Sequence, residues 1–438
     1  MVTLAIGILI LVILIILGVP VAMAFGAMAI FLASAFDVPT RMLIPTAFYQ
    51  IKSVVLLSIP FFILVGSLMS SGGLATRLID FVNSITGRIR GGLGAVTVIA
   101  CAMFGSIGGS CSSAVAAIGT IAIGTIMIPR MEENGYTRGY STALVAVSSI
   151  LGQLIPPSVP MILFALVTYQ SIPGCWLATI GPGIITIIIF CIFNFFMARK
   201  MPVKVLPPAG FNQQLREMGI ATKRASLALL LPVLLLGAIY GGIATPTEAA
   251  CVSVFYVIPV SMFVFKTLDL RGLGQSIVSG ATTTGVLVIM FFFVMINTRI
   301  MTMEQLPQEM AEWIMTVSPN KYVTLLMVNI FLLGIGMIMD DISGTIIAAS
   351  LLFPVMVKIG IHPLHFAAIM GTNLGLGNVT PLTAPILYLA GRIGNCKIES
   401  YLKPAMILTY LGMLPVVLLT TYWPGLSLFL PRLFGFIK

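Results

Sequence analysis

Two short stretches of this 438-residue chain hold the residues best suited to ligand chemistry. The first reads Gly152-Gln-Leu-Ile-Pro-Pro-Ser-Val-Pro160, and the second Gly377-Asn-Val-Thr-Pro-Leu-Thr-Ala-Pro385. Proline removes a backbone donor and clashes with the preceding turn, so two or three prolines this close unwind a helix. Unwinding frees backbone carbonyls within both stretches. Carbonyls together with Ser or Thr hydroxyls make a ligand set for a hard cation such as Na+. The first half supplies Ser158 and the Ser110, Ser112 and Ser113 hydroxyls of a Gly-Gly-Ser-Cys-Ser-Ser run. The second supplies Asn378, Thr380, Thr383, Ser343 and Thr345. Helix N-termini freed at the same breaks favour a carboxylate. One site would thus hold cations at its edges and an organic anion between them. A single Ser or Thr in a helix is more often a packing or back-bonding residue. The clustering in both stretches is what favours ligation.

The elements that must carry these stretches are membrane helices. Hydrophobic residues make up 59% of the chain and charged residues 8%, against about 25% charged in a soluble domain. The run Leu4 to Phe36 carries no charge. It is too long for one span of roughly 20 residues and suits two, with a bend near Gly18-Val19-Pro20. It is also too long for a cleavable signal peptide and has no basic leading region. Roughly ten to twelve further apolar segments follow, counting re-entrant pieces. They are long and do not alternate, which argues against a β-barrel. Apolar residues flank both proline stretches, so both lie at membrane depth. Unwound backbone is tolerated there only inside protein or beside a wet cavity.

The formal charge is +10, with basic clusters at Arg88/Arg90, Arg199/Lys200/Lys204 and Lys223/Arg224. Positive-inside bias accounts for these clusters and puts the polar stretch from Lys200 to Lys223 in the cytoplasm. Attraction of an anionic substrate is the sharper alternative. No basic run alternates with aromatics, so nucleic-acid binding has no support. The six cysteines form no CxxC pair and read as small core residues. His362 and His365 flank Pro363 and read as part of a turn, too few for a metal site. Glu248, after Thr245-Pro246-Thr247, reads as a first-turn cap. Asp340 and Asp341 mark a membrane boundary, a cap or a cation-attracting edge. Arg299 is placed to snorkel. There is no phosphate-binding loop and no Gly-x-Ser-x-Gly, so neither ATP hydrolysis nor any other enzymatic activity is expected.

The chain repeats itself. Gly119-Thr120-Ile121 recurs 225 positions later as Gly344-Thr345-Ile346. The same offset relates Pro129 to Pro354, Gly135 to Gly360, Gly152 to Gly377, Pro156 to Pro381 and Pro160 to Pro385. A one-residue slip relates Pro20 to Pro246. The expectation is an ancestral duplication, with halves 1–224 and 225–438. Each half is a helix ending at a proline, a polar turn, and an apolar segment that meets a break. Paired breaks in two repeats are the best sequence pointer to a transporter binding site.

The ordered motifs resemble those of the large membrane subunit of tripartite ATP-independent periplasmic (TRAP) transporters. They are Ser58-Ile-Pro-Phe-Phe62, Gly66, Ser71-Gly-Gly-Leu74, Gly91-Gly-Leu93, Gly109-Ser110 with Ala114, and Pro129-Arg-Met131. Gly135-Tyr136, Ile155-Pro-Pro-Ser-Val-Pro-Met-Ile162, Thr245-Pro-Thr-Glu-Ala-Ala250 and Met339-Asp340 complete them. The match runs over nearly the whole chain. The resemblance implies an all-α polytopic protein of the bacterial inner membrane, with two inverted repeats, helical hairpins and broken helices, working as an elevator. It implies Na+-coupled uptake of an organic acid, a periplasmic binding protein that delivers it, and a small membrane subunit of about four helices. It maps one sodium site to Ser110, Ser113, Gly152, Ile155 and Pro157, and a second to Gly336, Thr380 and Thr383. Substrate contacts fall to Ser158, Asn378, Pro156 and Pro381. The sequence departs from the family at Thr380-Pro-Leu-Thr-Ala-Pro385, where many members carry Thr-Pro-Pro, and at the Asp340-Asp341 doublet. The alternative is a stand-alone ion-coupled anion carrier or antiporter of similar architecture.

Overall fold

The computed structural model describes residues 2–86, 89–109, 124–204, 211–317, 320–381 and 384–437, and every regular element among them is helical. In chain order the helices are α1 (Val2–Ile16), α2 (Val21–Ala35), α3 (Thr40–Ile51), α4 (Ser58–Ser71), α5 (Leu74–Thr86) and α6 (Gly92–Gly108). There follow α7 (Gly124–Glu133), α8 (Arg138–Ser148), the single turn α9 (Leu151–Leu154), α10 (Val159–Thr168) and α11 (Ile172–Arg199). The second half holds α12 (Phe211–Tyr240), α13 (Pro246–Pro259), α14 (Leu270–Met303), α15 (Leu306–Val317), α16 (Lys321–Ile338) and α17 (Asp341–Lys358). It closes with α18 (Pro363–Val379), α19 (Pro385–Ile393), α20 (Ile398–Ile407), α21 (Leu414–Tyr422) and α22 (Pro424–Leu433). Among the described residues, nine helical stretches are long and apolar enough to cross a membrane. Large apolar side chains such as Phe255, Val233 and Ile188 project from them unburied, as lipid-facing positions do.

Local chemistry sets the boundaries. Gly18 (φ 84°) and Gly242 (φ 69°) take the left-handed conformation that ends α1 and α12. The same closing bond follows each: Val19 N–H donates to Leu14 O (3.0 Å), and Ile243 N–H to Ala238 O (2.9 Å). Proline then starts the next helix. At α13, Thr245 and Glu248 form a reciprocal capping box, the expected role of that acid. Pro129 and Pro354 depart from expectation, because α7 and α17 run on past them to Glu133 and Lys358. Neighbouring helices can satisfy the backbone that proline frees in a membrane bundle. Gly135 (φ 91°) and Gly360 (φ 76°) supply the turns that follow. Tyr136 N–H bonds Met131 O (3.0 Å), and its counterpart Ile361 N–H bonds Met356 O (2.9 Å). Thr137 and His362 then cap α8 and α18.

Packing sorts the helices into two sets. In one, α14 packs on α2, α3 and α4, α12 on α5, and α13 on α4. In the other, α16 packs on α18, α17 on α10 and α18, α6 on α9 and α11, and α20 on α8, while α6 also packs on α5 and α4 of the first set. Both breaks lie in the second set. Among the described residues, few polar contacts join the sets near the breaks. Thr298 on α14 shares a hydrogen bond with Ser350 on α17 (3.0 Å), and the Ser343 hydroxyl meets Met290 Sδ (2.9 Å). Two ion pairs tie amphipathic helices to the hairpins: Asp80 on α5 with Arg130 on α7, and Glu312 on α15 with Lys358 on α17, each at 3.2 Å.

Candidate functional site

The first break is shorter than the motif that announces it. Gly152 is helical, and the chain unwinds only from Ile155 (φ −97°, ψ 125°) to Ser158 (φ −122°, ψ 122°). Pro160 lies in the first turn of α10, where its missing N–H costs nothing. Gly152 serves another purpose. A Cβ on Gly105 of α6 would overlap the Gly152 Cα, so the two helix backbones touch at this crossing. One turn later Gly109 (φ 72°) ends the tight stretch, and its carbonyl accepts the Val159 N–H at 2.6 Å. Gly109 thereby joins the hairpin to the break. Ser110 and Ser113, which come next in the chain, lie outside the described residues. From the other side, the fully buried Trp176 donates its indole N–H to Ser158 O (3.0 Å) and packs edge-on against Phe62. The Ser158 hydroxyl is buried and has no partner among the described residues.

The second break repeats this plan. Thr380 is the extended residue (φ −82°, ψ 127°) that ends α18, 225 positions after Ile155. Its N–H bonds Gly377 O (3.0 Å), and its hydroxyl donates back to Leu376 O (2.7 Å), leaving oxygen lone pairs free to accept. Gly377, like Gly152, is helical and touches a hairpin glycine: a Cβ added to it would lie 2.6 Å from Gly336 Cα on α16. Pro381 follows in the turn, Thr383 lies outside the described residues, and Ala384 (φ 24°) precedes Pro385 at the start of α19. Asp340 caps α17, accepting from Ile342 N–H (3.3 Å) and from the Ser343 hydroxyl. Of the three readings open for that doublet, Asp340 takes the cap.

The residue after each helical glycine is polar and fully buried. Asn378 finds no partner among the described residues for either side-chain atom. Gln153, 225 positions earlier, donates to Gly371 O of α18 at 2.6 Å but leaves its Oε1 unpaired. An unpaired buried polar atom costs about 1–3 kcal/mol, so such atoms mark places built to receive something else. Gln153 was not picked from the sequence; its signal is the register that pairs it with Asn378. Trp176 was also missed, and no local pattern points to it. The breaks therefore offer oxygen donors, helix ends and amide groups, with no charged side chain between Gly152 and Pro160 or between Gly377 and Pro385. That donor set suits hard cations and hydrogen-bonding ligands. Among the described residues no cluster of His, Cys, Asp or Glu could hold a transition metal. An apolar cavity of about 360 Å³ lies apart from the breaks, among α1, α2, α14, α16 and α17. Its lining is mostly hydrocarbon, with Asn297, Thr298 and Ser350 as its polar members.

Comparison with known proteins decides the family. A model described as "Tripartite ATP-independent periplasmic transporter, DctM component" matches residues 8–426. The chain belongs to the DctM family. The isethionate TRAP transporter permease DctMQ of Oleidesulfovibrio alaskensis is 34% identical over 420 residues, which is 94% of this chain and 64% of that protein. This DctM chain thus spans under two thirds of that relative's length. The C4-dicarboxylate large permease DctM of Pseudomonas aeruginosa is 34% identical over 411 residues, covering 94% and 93%. The sialic acid large permease SiaM of Vibrio cholerae is 34% identical over 384 residues, covering 88% of each. The YdaH transporter of Alcanivorax borkumensis shares the fold, with TM-score 0.62 at 16% identity over 88% and 89% of the two chains. The DctM chain is accordingly a TRAP large permease subunit of the inner membrane, a transport protein and not an enzyme, with inverted repeats, hairpins and broken helices.

Proposed function

We propose that this permease carries an organic acid inward with Na+, by an elevator movement of the helices that hold the two breaks. The observation that carries this reading is the pair of breaks. Each sets extended backbone, and buried side-chain polar atoms without a partner among the described residues, beside a backbone contact with a hairpin. The first sodium ion binds among Ser110, Ser113 and the carbonyls of Gly152, Ile155 and Pro157. The second binds among Gly336, Thr380 and Thr383. Ser158 and Asn378, with the backbone at Pro156 and Pro381, receive the acid between them. The relatives' names speak of isethionate, C4-dicarboxylates and sialic acid, and all three are organic anions. Each cation raises the affinity for the anion by its charge, and each orders a segment the anion touches. Few polar contacts join the two helix sets near the breaks, which suits a sliding boundary. A periplasmic binding protein delivers the acid, and a small membrane subunit of about four helices braces the stationary set.

Uptake into vesicles holding this chain, the small subunit and the binding protein tests the reading. It requires an inward Na+ gradient, and Ser110→Ala or Thr380→Ala raises half-saturating Na+ about fivefold, the weight of about 1 kcal/mol per lost ligand. Unchanged Na+ dependence in both variants removes these sites. Uptake by this chain alone removes the tripartite reading in favour of a stand-alone carrier.

A further inference from the structure

A second site lies at the other end of the molecule from the chemistry above, where α5, α6, α7 and the end of α11 meet. A cavity of about 260 Å³ is lined by Asp80, Asn83, Arg130, Asn134 and Lys204, with Ile89 and Val203 at its edge. Its one carboxylate, Asp80, is already matched by Arg130 at 3.2 Å. Lys204 forms no ion pair among the described residues, so the cavity carries a net positive charge. Its backbone is fastened down. Lys204 N–H bonds Asn134 O (2.9 Å), Asn134 bonds Arg130 O (2.7 Å), and Gly135 packs so tightly on Pro202 that a Cβ would not fit. Arg90 adds a further cation and bonds Arg199 O (3.5 Å). Ile89 is 60% exposed and projects an apolar side chain beside these cations. Free phosphate has no use for such a rim, but the glycerol and first methylenes of a lipid do. The basic clusters on this side put it at the cytoplasmic leaflet, where anionic headgroups gather.

We infer that this cavity binds the phosphate headgroup of an anionic phospholipid, with Lys204 and Arg130 as its cationic contacts and Ile89 against the lipid body. The bound lipid bridges α5 and α7, the helices that Asp80 and Arg130 already join, so it braces α7 against its flanking helix.

The test reads binding and not transport, so its outcome does not depend on the sodium and substrate reading. The full-length chain in detergent is doped with phosphatidylglycerol or phosphatidylcholine, and retained lipid is counted by native mass spectrometry. Phosphatidylglycerol is retained selectively. Lys204→Gln lowers its retention about fivefold, the weight of one interfacial cation. Asp80→Asn raises it, because Arg130 is released to the phosphate. Arg271→Gln, which removes an exposed cation far along the chain, changes nothing. Excess inorganic phosphate fails to displace the lipid. Equal retention of the two lipids, equal effects of Lys204→Gln and Arg271→Gln, or a loss with Asp80→Asn would each overturn the assignment. Displacement by inorganic phosphate alone would reassign the cavity to a free anion.

Discussion

The two breaks share a backbone plan and differ in how they are held. The first is clamped from both sides, by Gly109 O on Val159 N–H and by the Trp176 indole on Ser158 O. The second has no indole; its Thr380 hydroxyl turns back on its own helix, and Ala384 sits at a positive φ. The polar pair after the glycines differs in the same sense. Gln153 is long enough to reach Gly371 across the halves, while Asn378, one methylene shorter, reaches nothing. The two breaks share the positions where backbone conformation is constrained and differ in the side chains that only hold them in place. The outcome is one stiff break and one adaptable break. The family departure at Thr380 to Pro385 lies in the adaptable one.

Changes at the crossings should have the largest effect. Gly105→Ala and Gly377→Ala each force a Cβ into facing backbone, at a cost of about 3 kcal/mol or outright loss of the folded protein. Thermal melting of both variants checks it. A large loss at one crossing and none at the other would end the equivalence of the halves. Next comes Trp176→Phe, which removes the indole donor and leaves Ser158 O with the Ile162 N–H alone. A loss of about 1 kcal/mol in the same assay is expected, and an unchanged melt would show that the first break needs no clamp. Ala384→Gly should act in the opposite direction. Glycine takes positive φ without penalty, so the second break should gain about 1 kcal/mol. No gain would remove the strain from the comparison.

The smallest effect concerns the caps. Thr137 caps α8 with a hydroxyl, but His362 caps α18 by accepting the Leu364 N–H on Nδ1 (3.2 Å) in the turn outside the spans. Only the unprotonated ring can accept. Burial, and then the Arg432 cation, hold the His362 pKa below its usual value. A base whose folded pKa is depressed gives its stability in full above the unfolded value and loses it as pH falls through the folded one. Wild type should therefore lose a little melting temperature on acidification through pH 6 that His362→Asn, a non-titrating cap, does not. Identical pH profiles would sink this asymmetry.

The helical membrane fold and the register were legible because glycine and proline write backbone geometry directly into sequence. The turns at Gly135 and Gly360, and the extended residues Ile155 and Thr380, stand where that register puts them. The extent of the breaks was not legible. Gly152 and Gly377 look like breakers, yet each is a helical residue without a side chain because another backbone lies against it. Pro129 and Pro354 likewise sit inside helices. Long-range partners leave no local trace: Trp176 on Ser158, Gln153 on Gly371, and the Asp80–Arg130 and Glu312–Lys358 pairs all join residues far apart in sequence. Of the candidate sodium ligands, Gly152, Ile155 and Pro157 gather at the first break and Gly336 and Thr380 at the second, while Ser110, Ser113 and Thr383 fall outside the described residues.

The bare contacts of Gly105 with Gly152 and of Gly336 with Gly377 have a mechanical consequence. Side chains at a helix crossing act as a cushion, because rotamers can yield before backbones move. Here there is none. Each hairpin can swing about its crossing as about a pivot, but it cannot slide past or lift without taking the broken helix along. A displacement of either hairpin helix therefore reaches its break undamped, and each crossing gives its break one fixed point of leverage.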